Sequence, residues 1–393
     1  MRGDRRCPRS RAFRVVFAGL LLSVLPLSAG WSAEEPIKIG MLTPVTGPLA
    51  HAGKSIQNGF LLYLEQAGNK LGGRGVEIIT EDGQGDPGVA LTKAKKLVER
   101  DRVDIIAGPI SSSVGLAIRD YVSGKGVPTL LLATVDRIGD GKFIFRTSFS
   151  CSPDSHLIGT LPGKAGHKKA VAVVPNFSAG QCALEWFEKG FVAQGGAVIQ
   201  KVLPPMGTTD FAPFLAGMSK DADVGIVFMP GGNMAIRFIQ QFAEYGLKGK
   251  LPLYGFSATV DEEILPALGD STEGFVGVAF YYTTIDTPEN KSFVQNYAKK
   301  YGNKPNWFAA GSYISAQAID TAARKVGGAV KDRDAFIQAL KAVRLTTPAG
   351  SFRFDENNDP VQPRYVSVIR KVKGEVLPVV TNVVPEFVPK APK

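Results

Sequence analysis

From Ile37 onward the chain repeats one alternation: a short apolar run, a loop rich in Gly, Pro or hydroxyl residues, then a segment with apolar positions at helical spacing. Ile37-Lys38-Ile39-Gly40-Met41-Leu42 predicts a first strand and Thr43-Pro44-Val45-Thr46-Gly47-Pro48 a loop. Ile56, Phe60, Tyr63, Leu64 and Ala67 then mark the inward face of a helix. Further strands are expected at 76–80, 103–107 and 129–133. Asp86-Pro87 predicts an N-cap followed by Pro at the first helical position. A second series follows Phe145-Arg146, with strands at 170–174, 198–202, 224–228 and 251–254 and helices near 180–194, 210–219, 233–245 and 261–268. Continuous apolar strands alternating with helices indicate parallel sheets covered on both faces, so the expected fold is α/β with two doubly wound lobes.

In such sheets ligands collect beyond the carboxyl ends of the strands. Five loops there carry small polar, glycine or aromatic residues: Ser111-Ser112-Ser113, Ala133-Thr134, Asn176-Phe177-Ser178, Pro230-Gly231-Gly232-Asn233 and Gly255-Phe256-Ser257. They come from both lobes, which predicts a cleft between them. Ser111 to Ser113 follow Gly108-Pro109 and open a helix, so hydroxyls and free backbone N–H groups converge on a cradle for a small anion, most simply a carboxylate. Gly231 and Gly232 would let the backbone approach a ligand, and Asn233 would line the loop or cap the next helix. His51 is placed at the cleft edge as a hydrogen-bond donor, and Tyr281, just beyond the second series, is a further candidate to line the cleft, the alternative being an aromatic core residue.

The first residues differ in kind. Six arginines between Arg2 and Arg14 precede the apolar run Val15–Leu25, Pro26 and the small residues Ser28-Ala29-Gly30. This is the pattern of a secretory signal peptide, residues 1–33, cleaved between 29 and 33. Its removal takes away six Arg and one Asp, so 46 basic and 36 acidic side chains become 40 and 35, and the formal charge falls from +10 to +5. No basic run with interleaved aromatics remains, which argues against nucleic acid as a partner. Cys151 and Cys182 survive cleavage and permit either one disulfide or two buried thiols.

The three histidines form no His-Glu-x-x-His motif, and no Gly-x-Ser-x-Gly elbow or Walker-type loop occurs. No catalytic residue, metal site or cofactor is therefore assigned.

The loops in this order resemble the periplasmic solute-binding proteins of the leucine/isoleucine/valine-binding type that serve ABC importers. The resemblance runs through Thr46-Gly47-Pro48 and Gly53, Asp82 with Asp86-Pro87, Gly108 with Ser111-Ser112-Ser113, Phe145-Arg146, Thr209-Asp210-Phe211, Glu273-Gly274 and Pro348-Ala349-Gly350-Ser351-Phe352. It implies two lobes joined by a three-crossing hinge. Lobe one would hold 34–147 and 282–345, lobe two 148–281 and part of 346–380, with a Pro-rich tail over 381–393. It also implies that Ser111 to Ser113, Ala133 and Thr134 hold a ligand carboxylate, that a membrane permease is the partner, and that the protein works in the periplasm as a monomer.

Two departures bear on the ligand. Amino-acid binders of this type place an acidic side chain near Ser257, whereas Gly255-Phe256-Ser257-Ala258-Thr259 has none, so a ligand ammonium would lack its counter-charge. An aromatic that often follows the first lobe-two loop is replaced by Gly231-Gly232-Asn233, leaving room for a ring on the ligand faced by Phe177 and Phe256. The expected ligand is therefore an aromatic or hydrophobic carboxylate. The alternatives are a branched-chain amino acid or amide, with an acid from Asp261 to Glu263 reaching the site, a sensor docking on a signalling receptor, or a secreted hydrolase.

Overall fold

A computed structural model describes residues 35–387 except 137 and 140; the expected signal peptide and residues 388–393 lie outside the described residues. β1 (Ile37–Thr43), α1 (Ala50–Gln66), β2 (Lys70–Leu71), β3 (Arg74–Asp82), α2 (Pro87–Lys95), β4 (Ile105–Ala107), α3 (Ser112–Gly124), β5 (Thr129–Leu131) and β6 (Ile144–Arg146) build lobe one. Its sheet runs β2-β3-β1-β4-β5-β6, parallel except for the β2–β3 hairpin. The continuous apolar runs have a direct cause. Met41 and Ile105 face the core shared with Ile56 and Phe60 of α1, whereas Leu42 and Ile106 face Ala90, Ala94, Val114 and Ile118 of α2 and α3. The predicted cap is present, with the Asp86 side chain accepting from Val89 N at 2.8 Å and Pro87 opening α2.

A first crossing at 147–150 leads into lobe two. There α4 (Cys151–Lys164), β7 (Lys169–Val173), α5 (Ser178–Val192), β8 (Ala197–Val202), α6 (Ala212–Ala216), β9 (Val224–Val227), α7 (Gly232–Glu244), β10 (Leu253–Phe256), α8 (Leu265–Leu268) and β11 (Val276–Ala279) follow. A second crossing at 280–287 returns to α9 (Pro288–Tyr301), α10 (Trp307–Lys325) and α11 (Arg333–Lys341), with α10 packed against α1. The chain continues into β12 (Arg344–Thr347), β13 (Gly350–Phe354), β14 (Pro360–Val372) and β15 (Glu375–Phe387); the β13–β14 turn still sits on lobe one, where Asn358 Nδ2 donates to Ile144 O at 3.1 Å, so the third crossing runs along β14, which pairs with β11. The second sheet runs β12-β13-β14-β11-β10-β9-β7-β8, with β15 on β14; its β7-to-β11 part is parallel and its C-terminal part antiparallel.

Three expectations are corrected. Residues 261–264 are not helical: the Asp261 carboxylate bonds Glu263 N at 2.9 Å, and this local bond turns the backbone so that α8 starts only at Leu265. Gly255 and Phe256 belong to β10 itself, so the loop begins at Ser257. Residues 381–387, expected to begin a loose tail, are the end of β15, hydrogen-bonded to β14. The cysteine alternatives resolve to a bridge: Cys151 and Cys182 are joined with their Cα atoms 6.3 Å apart, tying α4 to α5.

Candidate functional site

The serine loop forms where β4 stops. Gly108 has φ of +101°, and a Cβ there would fall 2.6 Å from Thr43 Cγ2, so the turn requires glycine. α3 then starts at Ser112 with Ser111 extended at the N-cap, leaving the first-turn N–H groups for an acceptor outside the helix. Ser112 Oγ accepts from Val135 N at 3.2 Å. Ser113 Oγ meets Ser178 Oγ of α5 at 3.0 Å, a bond between lobes.

Ala133 and Thr134 are buried just beyond β5. Their loop is held from behind by Arg146, 1% exposed, which donates to the carbonyls of Thr134 (2.9 Å), Val135 (3.0 Å) and Phe149 (3.1 Å) and pairs with Asp359 at 2.8 Å. This arginine spends its donors on backbone and its charge on Asp359, so it supports the site from outside the cleft.

An aromatic half adjoins the hydroxyl half. Cys151 N donates to Thr134 O at 2.7 Å, which lays the first crossing, with Phe149 and Ser150, beside the Ala133-Thr134 loop. Phe149 stacks on Phe256 with ring centres 4.9 Å apart and meets Trp307 edge-on at 5.3 Å. Phe228 lies 5.0 Å from Phe256, and Phe177 lies 5.9 Å from Phe228. Around these rings Trp307 Nε1, Ser150 Oγ and His51 Nε2 are buried polar atoms with no hydrogen-bond partner among the described residues. A buried polar atom left unpaired costs on the order of 1–3 kcal/mol, so such atoms are what a ligand would satisfy.

His51, in the first turn of α1, crosses to lobe two. A Cβ on Gly231 would sit 3.1 Å from its Nε2, and one on Gly232 2.9 Å from its Nδ1; both glycines have positive φ, +86° and +59°. The two glycines thus let the imidazole lie on the lobe-two backbone, and burial pushes His51 below the usual histidine range, partly offset by the Pro230 carbonyl.

Not every expected residue joins this set. Gly231, not Asn233, occupies the N-cap of α7, and Asn233 is exposed on its first turn. Tyr281 is buried in the hinge against Phe293 at 5.8 Å, where its hydroxyl is pushed up by burial and by the nearby Glu262 carboxylate. Ser257 is buried beside the Tyr282 hydroxyl.

The acids that could supply a counter-charge are engaged at the hinge. Glu263 Oε2 accepts from Ser55 Oγ (3.1 Å) and Asn306 Nδ2 (2.7 Å), and Glu262 Oε1 accepts from Thr283 N at 2.8 Å. Asp261 Oδ2 has no partner among the described residues, and burial with the adjacent Glu262 carboxylate raises its pKa well above the usual range, favouring the neutral acid.

Phe149, Ser150, Phe228, Trp307 and the supporting Arg146 were not among the expected binding residues. The one signal for them was Phe145-Arg146 marking the end of lobe one, since Trp307 lies far along the chain and enters only through the fold.

Two α/β lobes, three crossings and a lined cleft at the strand ends define a two-lobed ligand-binding protein. Residues 36–374 match the periplasmic binding protein family, and the chain belongs to it. It is 28% identical to a Brucella melitensis protein called Leu/Ile/Val-binding protein homolog 6, over 89% of this chain and 92% of that one. A solute-binding protein of an ABC transporter from Rhodopseudomonas palustris BisB5, solved in complex with 3,4-dihydroxybenzoic acid, matches with a TM-score of 0.86 and 31% identity, covering 91% of this chain and 99% of that one. A second R. palustris solute-binding protein, solved with benzoate, matches with a TM-score of 0.84 and 28% identity over 91% and 98% of the two chains. The protein is thus an ABC-transporter solute-binding protein of the type I periplasmic class, similar in sequence to leucine/isoleucine/valine-binding proteins.

Proposed function

We infer that the protein captures an aromatic carboxylate in the periplasm and delivers it, as a monomer without enzymatic activity, to an ABC permease. One observation carries the reading: a hydroxyl and helix-N-terminal half (Ser111, Ser112, Ser113, Thr134) adjoins an aromatic half (Phe149, Phe177, Phe256, Trp307), and the nearby acids are committed to the hinge. A carboxylate would take the N–H and hydroxyl donors, and the ring would stack among the phenylalanines. The solute-binding proteins solved with 3,4-dihydroxybenzoic acid and benzoate support this choice. A ligand touching both lobes favours the closed form, and closure presents the surface a permease reads.

Thermal unfolding of the mature protein, freed of carried-over ligand, tests the reading with benzoate, hydroxybenzoates and phenylpropenoates beside branched-chain amino acids and amides. A ligand at a hundredfold its Kd adds about 2.7 kcal/mol. Stabilisation by the aromatic acids alone is expected. Stabilisation by leucine or isoleucine alone would overturn it and assign the unpartnered Asp261 oxygen to a ligand ammonium.

A further inference from the structure

Among the contacts between the two lobes is a cluster centred on one carboxylate. Ser55, one turn beyond His51 on α1, and Asn306, the N-cap of α10, belong to lobe one; Glu263 belongs to lobe two. Glu263 Oε2 accepts from both, at 3.1 and 2.7 Å, the Ser55 hydroxyl sharing its one proton with the His51 carbonyl at 3.1 Å, and Asn306 Nδ2 also donates to Ser55 Oγ at 3.1 Å. The carboxylate is fixed from its own side. Asp261 Oδ1 holds Glu263 N at 2.9 Å, and Glu262 Oε1 holds Thr283 N of the second crossing at 2.8 Å. The crossing is itself pinned by Asn290 Nδ2, which donates to the carbonyls of Tyr282, Thr283 and Ile285 at 2.9 to 3.1 Å. Behind Glu262 and Glu263 lies a cavity of about 540 Å³, also lined by Lys304 and Glu375.

We propose that Glu263, with Ser55 and Asn306, is a latch that sets how often the lobes close, independent of ligand contact. Opening must break two hydrogen bonds to one partly buried carboxylate, the charge-assisted kind that outweighs neutral bonds. Glu263 itself bonds Ser55 and Asn306 and none of the serines or rings assigned to the ligand, so it acts as a positioning residue. It tunes affinity through the population of the closed form, and the apparent Kd rises by the factor by which that population falls.

The test compares ligand-free wild type with Glu263→Ala, Ser55→Ala, the double variant and Glu263→Gln by small-angle X-ray scattering of the mature chain, with circular dichroism confirming that each is folded. Glu263→Ala and Ser55→Ala should each enlarge the radius of gyration. The double variant should open no further than Glu263→Ala, because the same bond is lost, and Glu263→Gln, which keeps an acceptor oxygen, should remain near wild type. Should Glu263→Ala fail to fold, Ser55→Ala carries the comparison. An unchanged radius in the folded alanine variants, or additive opening in the double, would overturn the latch. In parallel, benzoate should dissociate roughly tenfold faster from Glu263→Ala, in keeping with the strength of hydrogen bonds to charged groups. The scattering needs no ligand, so failure of benzoate to bind wild type would sink the ligand reading and leave the latch to be judged on the radii.

Discussion

The two halves of the cleft are held in opposite ways. The hydroxyl half is built from backbone and small side chains at strand ends, and Arg146 secures it by bonding the Thr134 and Val135 carbonyls from behind, while its third carbonyl bond, to Phe149, reaches only the backbone of the other half. The aromatic half is built from large rings on separate elements, Phe149 on a crossing, Phe256 on β10 and Trp307 on α10, and they are fixed mainly by one another. The first half can discharge a carboxylate's solvation cost only if its N–H and hydroxyl groups stay aimed, so it is rigidly backed. The second offers area and weak ring geometry, worth about 0.5–1.5 kcal/mol per pair beyond burial. On the proposed reading, a solute that satisfies one half alone would bind weakly, which would make recognition an AND condition on charge and ring.

The hardest blow to that condition falls on the rigid half. Ser112→Ala with Thr134→Ala should weaken benzoate binding by about a hundredfold or more, since each hydrogen bond to a charged group contributes about 1.5–3 kcal/mol. Calorimetry measures it, and the unfolding midpoint without ligand should fall by no more than a few degrees, the effect of leaving Val135 N without its Ser112 acceptor. Unchanged affinity would remove the hydroxyl half from the site. The aromatic half has a covalent brace instead: Cys151–Cys182 ties α4, which follows Phe149, to α5, which follows Phe177. Closing this loop of separation 31 is worth about 3.7 kcal/mol, so in a chain of this length Cys151→Ser with Cys182→Ser should lower the unfolding midpoint by roughly 5 °C. Equal melting of wild type in the presence and absence of reductant would argue that the bridge does not form in solution.

How much of this could be read in advance follows the same division. The helix start at the serine loop, the Asp86-Pro87 cap and the alternation of lobe one were legible because each is a local rule applied to contiguous residues. The antiparallel β12 to β15 region was not. Pro363 sits where the β14–β15 register shifts between Gln362 and Arg364, and Pro378 and Pro385 fall on the edge strand β15, places where proline is tolerated in a sheet but hides it from a periodicity count. Phe149 and Trp307 carry no local pattern and meet only because two crossings bring them together. Glu263 was concealed by reading 261–268 as one helix, whereas the Asp261 side chain turns that backbone and aims the acid at lobe one.

A smaller perturbation probes the seam between the halves, where His51 lies on Gly231 and Gly232. Gly232→Ala introduces a Cβ 2.9 Å from the His51 ring at φ of +59°, so either the ring moves or the lobes stand apart. A left-handed alanine costs roughly 1–2 kcal/mol. Benzoate affinity should fall by about tenfold, and adding His51→Ala should recover the part due to the clash. Loss of the same size in both backgrounds would assign the whole effect to backbone strain.

The gentlest test lies at the hinge, where the halves are joined and not lined. Glu262 is buried between Asp261, Tyr281, Tyr282 and Thr283, with Lys304 and Glu263 nearby, and burial pushes its pKa up to about 7 against an ordinary value of 4.5. The folded form therefore holds this proton longer than the unfolded chain does. The contribution to stability is complete below about pH 4.5, declines as pH rises, and is fully lost above about pH 7. His51 and His156, both pushed down by burial, act in the opposite sense and destabilise as pH falls through the usual histidine range. Glu262→Gln keeps an acceptor for Thr283 N while removing the titration. It should raise the unfolding midpoint by a few degrees at pH 8, leave it nearly unchanged at pH 4.5, and preserve the histidine-driven limb. A variant whose midpoint tracks wild type at every pH would show that the Glu262 carboxyl is not the group whose proton the folded hinge retains, and would remove its titration from the stability profile.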